Sequence, residues 1–196
     1  MRVSRAQAEA NRETVINVAS RLFRERGFDG IGLKDLMQGA GLTQGGFYKQ
    51  FDSKDDLAAL ASRRAMESTT RRWSSVAASS PDPLQGVIDL YLSAEHRGET
   101  ADGCPLVALG SDAARQSEDI REPFQDGIKA HLEVLEELLP AAEHEEASSK
   151  AMSLLALMVG AVTLSRIVTD KNLADRFLET AIAEAKRLTA ARIGEP

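Results

Sequence analysis

The stretch Gly30-Ile-Gly-Leu-Lys-Asp-Leu-Met-Gln-Gly-Ala-Gly-Leu-Thr-Gln-Gly-Gly-Phe-Tyr-Lys-Gln-Phe51, followed by Asp52-Ser-Lys-Asp-Asp-Leu57, decides the fold of this chain. The spacing of its apolar residues predicts two short helices joined by a tight glycine turn, and then the start of a longer helix. A helix-turn-helix of this kind places its second helix in the major groove of DNA. We therefore expect the remaining helices to position and control that second helix.

The first short helix is predicted from Leu33, Leu36 and Met37, which stand at positions i, i+3 and i+4 of one apolar face. Gly39 and Gly41 follow, and a glycine there can adopt the left-handed conformation that ends a helix and turns the chain. We expect the sharp turn of the motif at these two glycines.

The second short helix is expected to begin at Thr43, whose hydroxyl can accept a hydrogen bond from a backbone N–H of the first turn. Phe47 and Phe51, four residues apart, place two rings on its inner face. The side chains expected to point away from that face are Gln44, Tyr48 and Lys49.

Gly45 and Gly46 are unusual inside a helix, where each destabilises by roughly 1 kcal/mol relative to alanine. One interpretation is that they leave a bare face, so that the backbone can approach base edges or phosphates. The alternative is that they relieve crowding against the preceding helix.

A longer helix is expected to open at Ser53, because Asp56 three residues later completes a capping box. The free N–H groups of this first turn, together with Lys54, favour a phosphate group nearby. The sequence therefore predicts that the start of this helix contacts a phosphate of the DNA backbone.

Residues 10–57 resemble the DNA-binding domain of the TetR family of bacterial transcriptional repressors. The matching pieces are Ala19, Leu22, Phe23 and Gly27-Phe28, then Leu33-Lys34-Asp35-Leu36, Ala40-Gly41-Leu42-Thr43, Phe47-Tyr48-x-x-Phe51 and Ser53-Lys54-x-x-Leu57. One position departs from the family, because the residue that opens the second helix is commonly Ser or Thr and here is Gly32. A hydroxyl contact to phosphate is therefore not expected at that position.

The resemblance implies an all-α protein of about nine helices. It would consist of a helix-turn-helix DNA-binding domain at 1–52, a linking helix at 53–78 and a helical effector-binding and dimerisation domain at 79–196. In this family the last two helices form a four-helix bundle across a two-fold axis. The resemblance thus implies a homodimeric repressor on a palindromic double-stranded DNA operator, released by an unknown small-molecule effector.

The apolar pattern independently places further helices after the motif. The expected helices lie at about 7–26, 53–78, 84–96, from Cys104-Pro105 onward, and at 117–139, 143–169 and 173–191, with a break at Ser79-Ser-Pro-Asp-Pro83. The run from Met152 to Val168 is apolar around most of its circumference and must be covered on more than one side. Ala156, Gly160 and Ala161 would let another helix approach closely. The alternative is an intramolecular core that needs no second copy.

Composition agrees with a helical regulator. The 196 residues include one cysteine, which cannot form an internal disulfide and fits a reducing cytoplasm. No run of about 18 apolar residues is evident, so a membrane span is not expected. Residues 1–12 are polar and lack a hydrophobic stretch, so a signal peptide is not expected either. The net charge of −6 divides into +3 for residues 1–65 and −9 for residues 66–196. This division favours a weakly basic DNA-binding domain joined to an acidic second domain. A solvated acidic surface without functional meaning is equally compatible with these totals.

Candidate DNA contacts divide by chemistry. Gln44 can bond an adenine edge, Lys49 a guanine or a phosphate, and Tyr48 a phosphate through its hydroxyl. The other residues expected at the interface are Lys34, Thr43, Gly45, Gly46 and Lys54, with Arg2 or Arg5 as an N-terminal arm. Each lysine could equally be a solvated surface side chain.

The middle helices are expected to supply an apolar effector pocket. Its candidate lining is Trp73, Tyr91, Leu106, Leu109, Phe124, Ile128, Met152 and Met158, each of which could be ordinary core. Cys104 stands at a helix N-terminus, where the dipole favours a thiolate, so it could sense oxidants. The alternative is that Cys104 is a small packing residue.

No cofactor, metal or catalytic activity is expected. Residues Glu143-His144-Glu145-Glu146 radiate from a helix rather than converge on a metal, and His96 and His131 are single and distant in sequence. A nucleophile elbow, a phosphate loop, paired cysteines and HExxH are not found. The remaining alternatives are an activator without a small-molecule ligand, and a helical ligand carrier or enzyme that retains a vestigial helix-turn-helix.

Overall fold

The protein is described by a computed structural model over residues 4–140 and 144–190. Within these ranges the chain forms nine α-helices, one short 3-10 helix and no strand, which confirms the expected all-α class. The elements in chain order are α1 (Arg5–Arg26), α2 (Leu33–Gly39), the 3-10 helix η1 (Gln44–Lys49), α3 (Lys54–Ser79), α4 (Pro83–Tyr91), α5 (Ala94–Gly98), α6 (Pro105–Ala113), α7 (Glu118–Leu138), α8 (His144–Ile167) and α9 (Lys171–Thr189).

The turn between α2 and η1 follows from glycine. Gly41 has a φ of 70°, its N–H donates to Gln38 O at 2.9 Å, and the Leu42 N–H donates to Met37 O at 2.8 Å. This pair of bonds is a Schellman motif, which satisfies carbonyls that the end of a helix leaves free. Gly39 instead ends α2, and a Cβ there would lie 3.0 Å from Val18 Cγ1. Gly41 therefore makes the turn, and Gly39 lets α1 approach α2.

One expected helix is in fact two. The pattern over 84–96 predicts a single helix, but α4 ends at Tyr91 and α5 begins at Ala94. Ser93 separates them, because its Oγ donates to Leu90 O at 2.9 Å and accepts from the His96 N–H at 3.0 Å. A serine that caps a new helix in this way competes with continuation of the old one.

The chain divides into two compact units whose boundary differs from the expected one. The first unit contains the described residues up to Ser68 together with Thr100–Gly127. The second contains Thr69–Glu99 together with the described residues from Ile128 onward. Residues 100–127, which lie in the expected effector domain at 79–196, pack with the helix-turn-helix in this division. The division describes packing, and the domain boundaries stay a prediction.

The core of the first unit explains this division. Leu109 and Ala113 of α6, and Ile120 and Phe124 of α7, are buried in one apolar cluster with residues of α1, α2, η1 and α3. The Phe124 ring meets Phe28 edge-on, with ring centroids 6.5 Å apart. Which cluster an amphipathic helix joins depends on tertiary packing, which the periodicity of the helix does not specify.

In the second unit α9 packs along α8. The buried side of α9 carries Ala174, Leu178, Ala181 and Ala185, at helical spacing. α8 buries one side in the same way and is apolar elsewhere too. Its most apolar 18-residue window has a mean hydropathy of 1.5, and only 39% of that window is buried within the chain.

The expectation that no segment reaches the composition of a membrane span is therefore corrected. By length and composition alone, α8 meets that criterion. The core helix of a globular protein meets the same criterion, so this single helix is weak evidence for a membrane. Its outward apolar residues still require a cover.

Candidate nucleic-acid interface

The recognition segment, Gln44–Lys49, is a 3-10 helix and not the α-helix expected from sequence. Thr43 occupies the N-cap position, but its side chain makes no capping hydrogen bond, so the expected role of its hydroxyl is wrong. Instead the Thr43 carbonyl oxygen accepts from the Gly46 N–H at 3.0 Å. Two adjacent glycines weaken α-helix propensity, which is consistent with a short i→i+3 helix here.

Two phenylalanine rings fix the inner side of the recognition segment. Phe47 is fully buried and Phe51 nearly so, with ring centroids 5.4 Å apart. The guanidinium of Arg12 lies over the Phe51 ring at 5.2 Å. Burying aromatic side chains contributes more than any polar contact in this region, so the segment is held from inside by apolar packing.

The other side of the recognition segment faces outward. Gln44 and Lys49 are exposed, and Tyr48 is 71% exposed although its ring meets Phe47 edge-on. A large aromatic side chain with most of its surface in solvent does little for the chain's own stability. The structure therefore presents these three side chains together on one short element.

Gly45 and Gly46 are not required by the fold. Neither has a positive φ, since among the described glycines only Gly27 and Gly41 do. A Cβ at Gly45 would meet nothing within 4 Å, and one at Gly46 would make an ordinary 3.8 Å contact with Met37. Relief of crowding against α2 therefore does not explain the two glycines.

The remaining candidate contacts lie on the helices around the recognition segment. Arg5 begins α1 and Lys34 lies in the first turn of α2, both exposed, whereas Lys54 at the start of α3 is half-buried. Arg2 lies outside the described residues. Gly32 is the N-cap of α2 and has no side-chain cap, as its identity requires.

The start of α3 has part of the expected capping box. Ser53 Oγ accepts from the Asp56 N–H at 3.0 Å, as predicted. The Asp56 carboxylate, however, accepts from the Asp52 N–H at 3.2 Å and not from that of Ser53. The cap thus extends one residue further back than the capping box predicts.

The eight expected pocket residues are distributed over the two units. Leu106, Leu109 and Phe124 pack in the core of the first unit. Trp73, Tyr91 and Met158 are buried in the second unit. The two that the structure leaves exposed are Ile128, at 36%, and Met152, at 56%. Six of the eight side chains therefore pack within one unit or the other, and an effector pocket lined by them stays a prediction.

Two histidines that sequence reasoning set aside join Trp73 and Tyr91 in the second unit. We call Trp73, Tyr91, His96 and His131 the ring cluster. Its ring centroids are 4.4 Å apart for Trp73–His131, 5.5 Å for Trp73–Tyr91 and 4.6 Å for Tyr91–His96. The signal for His131 was available, because it lies on the apolar face of α7, seven residues after Phe124 and four before Leu135.

The two histidines differ in their hydrogen bonds. The His96 Nδ1–H donates to Tyr91 O at 2.6 Å, since a carbonyl can only accept. His131 is fully buried, and among the described residues neither of its ring nitrogens has a hydrogen-bond partner. Burial lowers the pKa of His131 to about 4, and burial also lowers the pKa of His96. Both rings are therefore neutral at pH 7.

Cys104 is 1% exposed and stands as the N-cap of α6, directly before Pro105. The helix start is as expected, but burial limits reaction of the thiol with oxidants. Glu143 of the acidic run lies outside the described residues. Within the described part of the chain, no group of three or more potential metal ligands is found.

Two protein-family models match this chain. Residues 15–61 match "Bacterial regulatory proteins, tetR family", and residues 82–180 match "Transcriptional regulator LmrA/YxaF-like, C-terminal domain". The chain belongs to the TetR family. It is accordingly a transcriptional regulator of the helix-turn-helix class, and the alternative of a carrier or enzyme with a vestigial motif is not favoured.

Two relatives agree with this family assignment. The chain is 28% identical over 168 residues to the HTH-type transcriptional regulator LmrA of Bacillus subtilis, covering 83% of this chain and 88% of that protein. It is 26% identical over 190 residues to the HTH-type transcriptional repressor NemR of Escherichia coli K12, covering 91% and 94%. Each alignment thus spans most of this chain and most of the relative.

Solved structures show the same fold. The reduced form of E. coli NemR superposes with a TM-score of 0.78 at 23% identity, over 94% of this chain and all of that one. A TetR regulator from Chloroflexus aurantiacus gives 0.77 at 25% identity, over 93% and 97%. The arrangement of helices in each unit is thus that of known TetR regulators.

Proposed function

We propose that this protein is a homodimeric repressor that binds a palindromic operator and releases it when a small molecule binds the second unit. One observation carries the proposal: the recognition segment is anchored by buried phenylalanines and presents polar side chains that the fold itself does not use. The family membership and the printed names of LmrA and NemR support it. A role without catalysis follows, acting on DNA in the cytoplasm.

The proposed DNA contacts follow the chemistry of the exposed side chains. Gln44 reads an adenine through a bidentate bond, and Lys49 reaches a guanine or a phosphate. Tyr48 donates its hydroxyl to a phosphate. The residues proposed to set position on the backbone are Arg5, Lys34, Thr43 and Lys54.

Gly45 and Gly46 fit the same proposal. Since neither conformation nor packing within the chain explains them, a bare backbone is useful only toward something outside the chain. We infer that the backbone of the recognition segment comes close to DNA at these two positions. A Cβ there would separate protein and DNA at the point of contact.

The dimer is proposed to form through α8 and α9. The outer face of α8 carries Met152, Ala156, Gly160, Leu164 and Ile167, at spacings of four, four, four and three. Met152, Leu164 and Ile167 are 56%, 45% and 69% exposed, and a Cβ at Gly160 would meet nothing within 4 Å. An apolar stripe with a small residue at its centre suits another helix of the same kind.

A second copy also accounts for the high hydropathy of α8 better than a membrane does. One side of α8 already packs inside the chain, and covering the outer side would complete a four-helix bundle. Two recognition segments would then be available for two half-sites. A dimer is what a short recognition element requires, because one such element reads few bases.

Effector control is proposed as a two-state equilibrium. α3 is shared between the units, with residues up to Ser68 in the first and residues from Thr69 in the second. A small molecule that binds one arrangement of the second unit better shifts the population by that difference in affinity alone. The alternative is that oxidation of Cys104 releases DNA. It is tested by measuring operator affinity with and without oxidant in wild type and Cys104→Ser; the same loss of affinity in both would exclude it.

The proposal is tested by measuring binding to the DNA upstream of the protein's own gene. A fluorescence anisotropy titration between about 50 and 200 mM salt should show affinity falling by about a thousandfold or more, with sequence preference retained. A steep salt dependence without any preference over scrambled DNA would contradict a specific operator. A reporter gene behind that DNA then gives the sign: repression supports the proposal and activation contradicts it.

A further inference from the structure

The interior of the second unit holds a polar side chain that the fold leaves unsatisfied. His131 has no solvent exposure, and neither ring nitrogen finds a hydrogen-bond partner among the described residues. A buried polar group without a partner destabilises a protein, whereas an apolar group of the same shape does not. His131 therefore has no evident role in the stability of the chain.

The geometry of the ring cluster shows where a partner for His131 must lie. The Trp73 ring covers one face of the imidazole, with centroids 4.4 Å apart and planes 32° from parallel. The nitrogens of an imidazole donate and accept in the plane of the ring, at its edge. A hydrogen-bonding partner would therefore approach the edge of His131 and lie beside the indole of Trp73.

The charged side chains near the ring cluster already have hydrogen-bond partners. Arg72 is paired with Glu99 at 2.6 Å, which lowers the pKa of that carboxyl. Arg166 donates to the carbonyl oxygens of His96, Arg97 and Glu99 at 2.8–2.9 Å. The pKa of His131 is lowered by burial without any charged neighbour contributing. A charged ligand would find no counter-ion at His131, so an uncharged one is favoured.

We propose that His131 is the hydrogen-bonding anchor of the effector site, and that the effector is a small, uncharged, ring-bearing molecule with a hydroxyl group. A neutral imidazole offers one donor and one acceptor, and a hydroxyl can satisfy either. The rings of Trp73 and Tyr91 supply an apolar aromatic wall for the body of the ligand. This inference rests on the proposed function, in which a small molecule controls DNA binding.

The experiment uses the full-length protein and the emission of Trp73, the single tryptophan of the chain. The probes are phenol and 2-naphthol, with toluene as the ring without a hydroxyl and benzoate as the charged ring. The variants are His131→Phe, which keeps a ring but loses both nitrogens, and His131→Gln, which keeps a donor and an acceptor. His144→Phe, at an exposed histidine on α8, is the control.

The expected result is a saturable change in Trp73 emission with phenol or 2-naphthol in wild type and in His144→Phe. Binding should be about tenfold weaker or more in His131→Phe and largely restored in His131→Gln. Toluene should bind wild type and His131→Phe alike, and benzoate should bind neither. Operator affinity should fall when phenol or 2-naphthol saturates the site.

Several results would overturn the inference. The first is equal phenol binding by wild type and His131→Phe. The second is preferential binding of benzoate, and the third is no change in Trp73 emission with phenol or 2-naphthol. Probe binding without any change in operator affinity would also overturn the effector role. Failure of the proposed function is distinguishable, because it would appear as absent operator binding before any probe is added.

Discussion

The recognition segment and the ring cluster make opposite departures from what stability favours. The recognition segment has two glycines that the fold does not need, and a large aromatic side chain that is mostly exposed. In the ring cluster, a polar ring is buried where the fold does not satisfy it. Natural sequences tend to agree across local and global preferences, and exceptions concentrate at functional sites. We interpret both departures as surfaces shaped for a partner, DNA in one case and a small molecule in the other.

The outer face of α8 is a third surface of this kind, and disturbing it should have the largest effect. Ile167→Glu would bury two carboxylates per dimer, which should weaken dimerisation by on the order of 3 kcal/mol or more. Because Ile167 is 69% exposed in one chain, helix content should be unchanged. Sedimentation at micromolar concentration checks the prediction. A dimer as stable as wild type would show that α8 is not the interface.

Low pH should lower the free energy of unfolding through the ring cluster, whose His131 is buried and neutral. The pKa of His131 is about 4 in the folded protein, against 6.5 ordinarily. Below pH 6.5 the unfolded chain takes up a proton that the folded chain refuses, so the free energy of unfolding falls as the pH drops toward 4. The free energy of unfolding that is lost through His131 is on the order of 3 kcal/mol, and there is no such loss above pH 6.5.

Denaturant unfolding at several pH values measures this loss. His131→Phe should flatten the acid limb of the stability profile, whereas His144→Phe should follow wild type. If His131→Phe and wild type lose stability in parallel between pH 6.5 and 4, His131 is not buried and neutral as described.

Gly45→Ala should separate stability from function at the recognition segment. The free energy of unfolding should stay level or rise by about 0.5–1 kcal/mol, because alanine restricts the unfolded chain and its Cβ meets open space. Operator affinity should fall about tenfold, since the added carbon separates the backbone from DNA. Gly110→Ala in α6, where a Cβ also meets nothing, is the matched control and should leave DNA binding unchanged. Equal DNA binding by Gly45→Ala and wild type would remove the argument from the glycines.

His131→Phe should make the protein more stable in the absence of effector. Replacing an unsatisfied buried polar ring by an apolar one of similar size should raise the free energy of unfolding by about 1 kcal/mol at pH 7.5. Thermal unfolding of wild type and variant gives the comparison. A clearly less stable variant would indicate that His131 makes a stabilising bond in the free protein.

Local features of the first unit could be predicted from sequence because their causes are local. Gly41 has a positive φ in the turn that follows α2, and Phe47 and Phe51 form the inner side of the recognition segment. The hydrogen bond from the Asp56 N–H to Ser53 Oγ, which caps α3, is also a local feature. In each case the residue type and its spacing determine the geometry.

Other features could not be predicted because they depend on competition between opposing local preferences or on tertiary packing. The recognition segment is a 3-10 helix since two glycines outweigh the periodic pattern, and Ser93 divides a helix that the apolar spacing predicts as one. The periodicity of α6 does not tell which core Leu109 joins. For the ring cluster, His131 could be placed on an apolar face, but only the structure shows that its nitrogens lack partners.

Base recognition by the recognition segment is the central claim, and one measurement tests it directly. Wild type and Gln44→Ala are titrated against a set of operators that carry single base-pair changes. We predict that Gln44→Ala binds the best operator about 1–3 kcal/mol more weakly and loses its preference at one base pair in each half-site. An unchanged preference at every base pair would contradict the account.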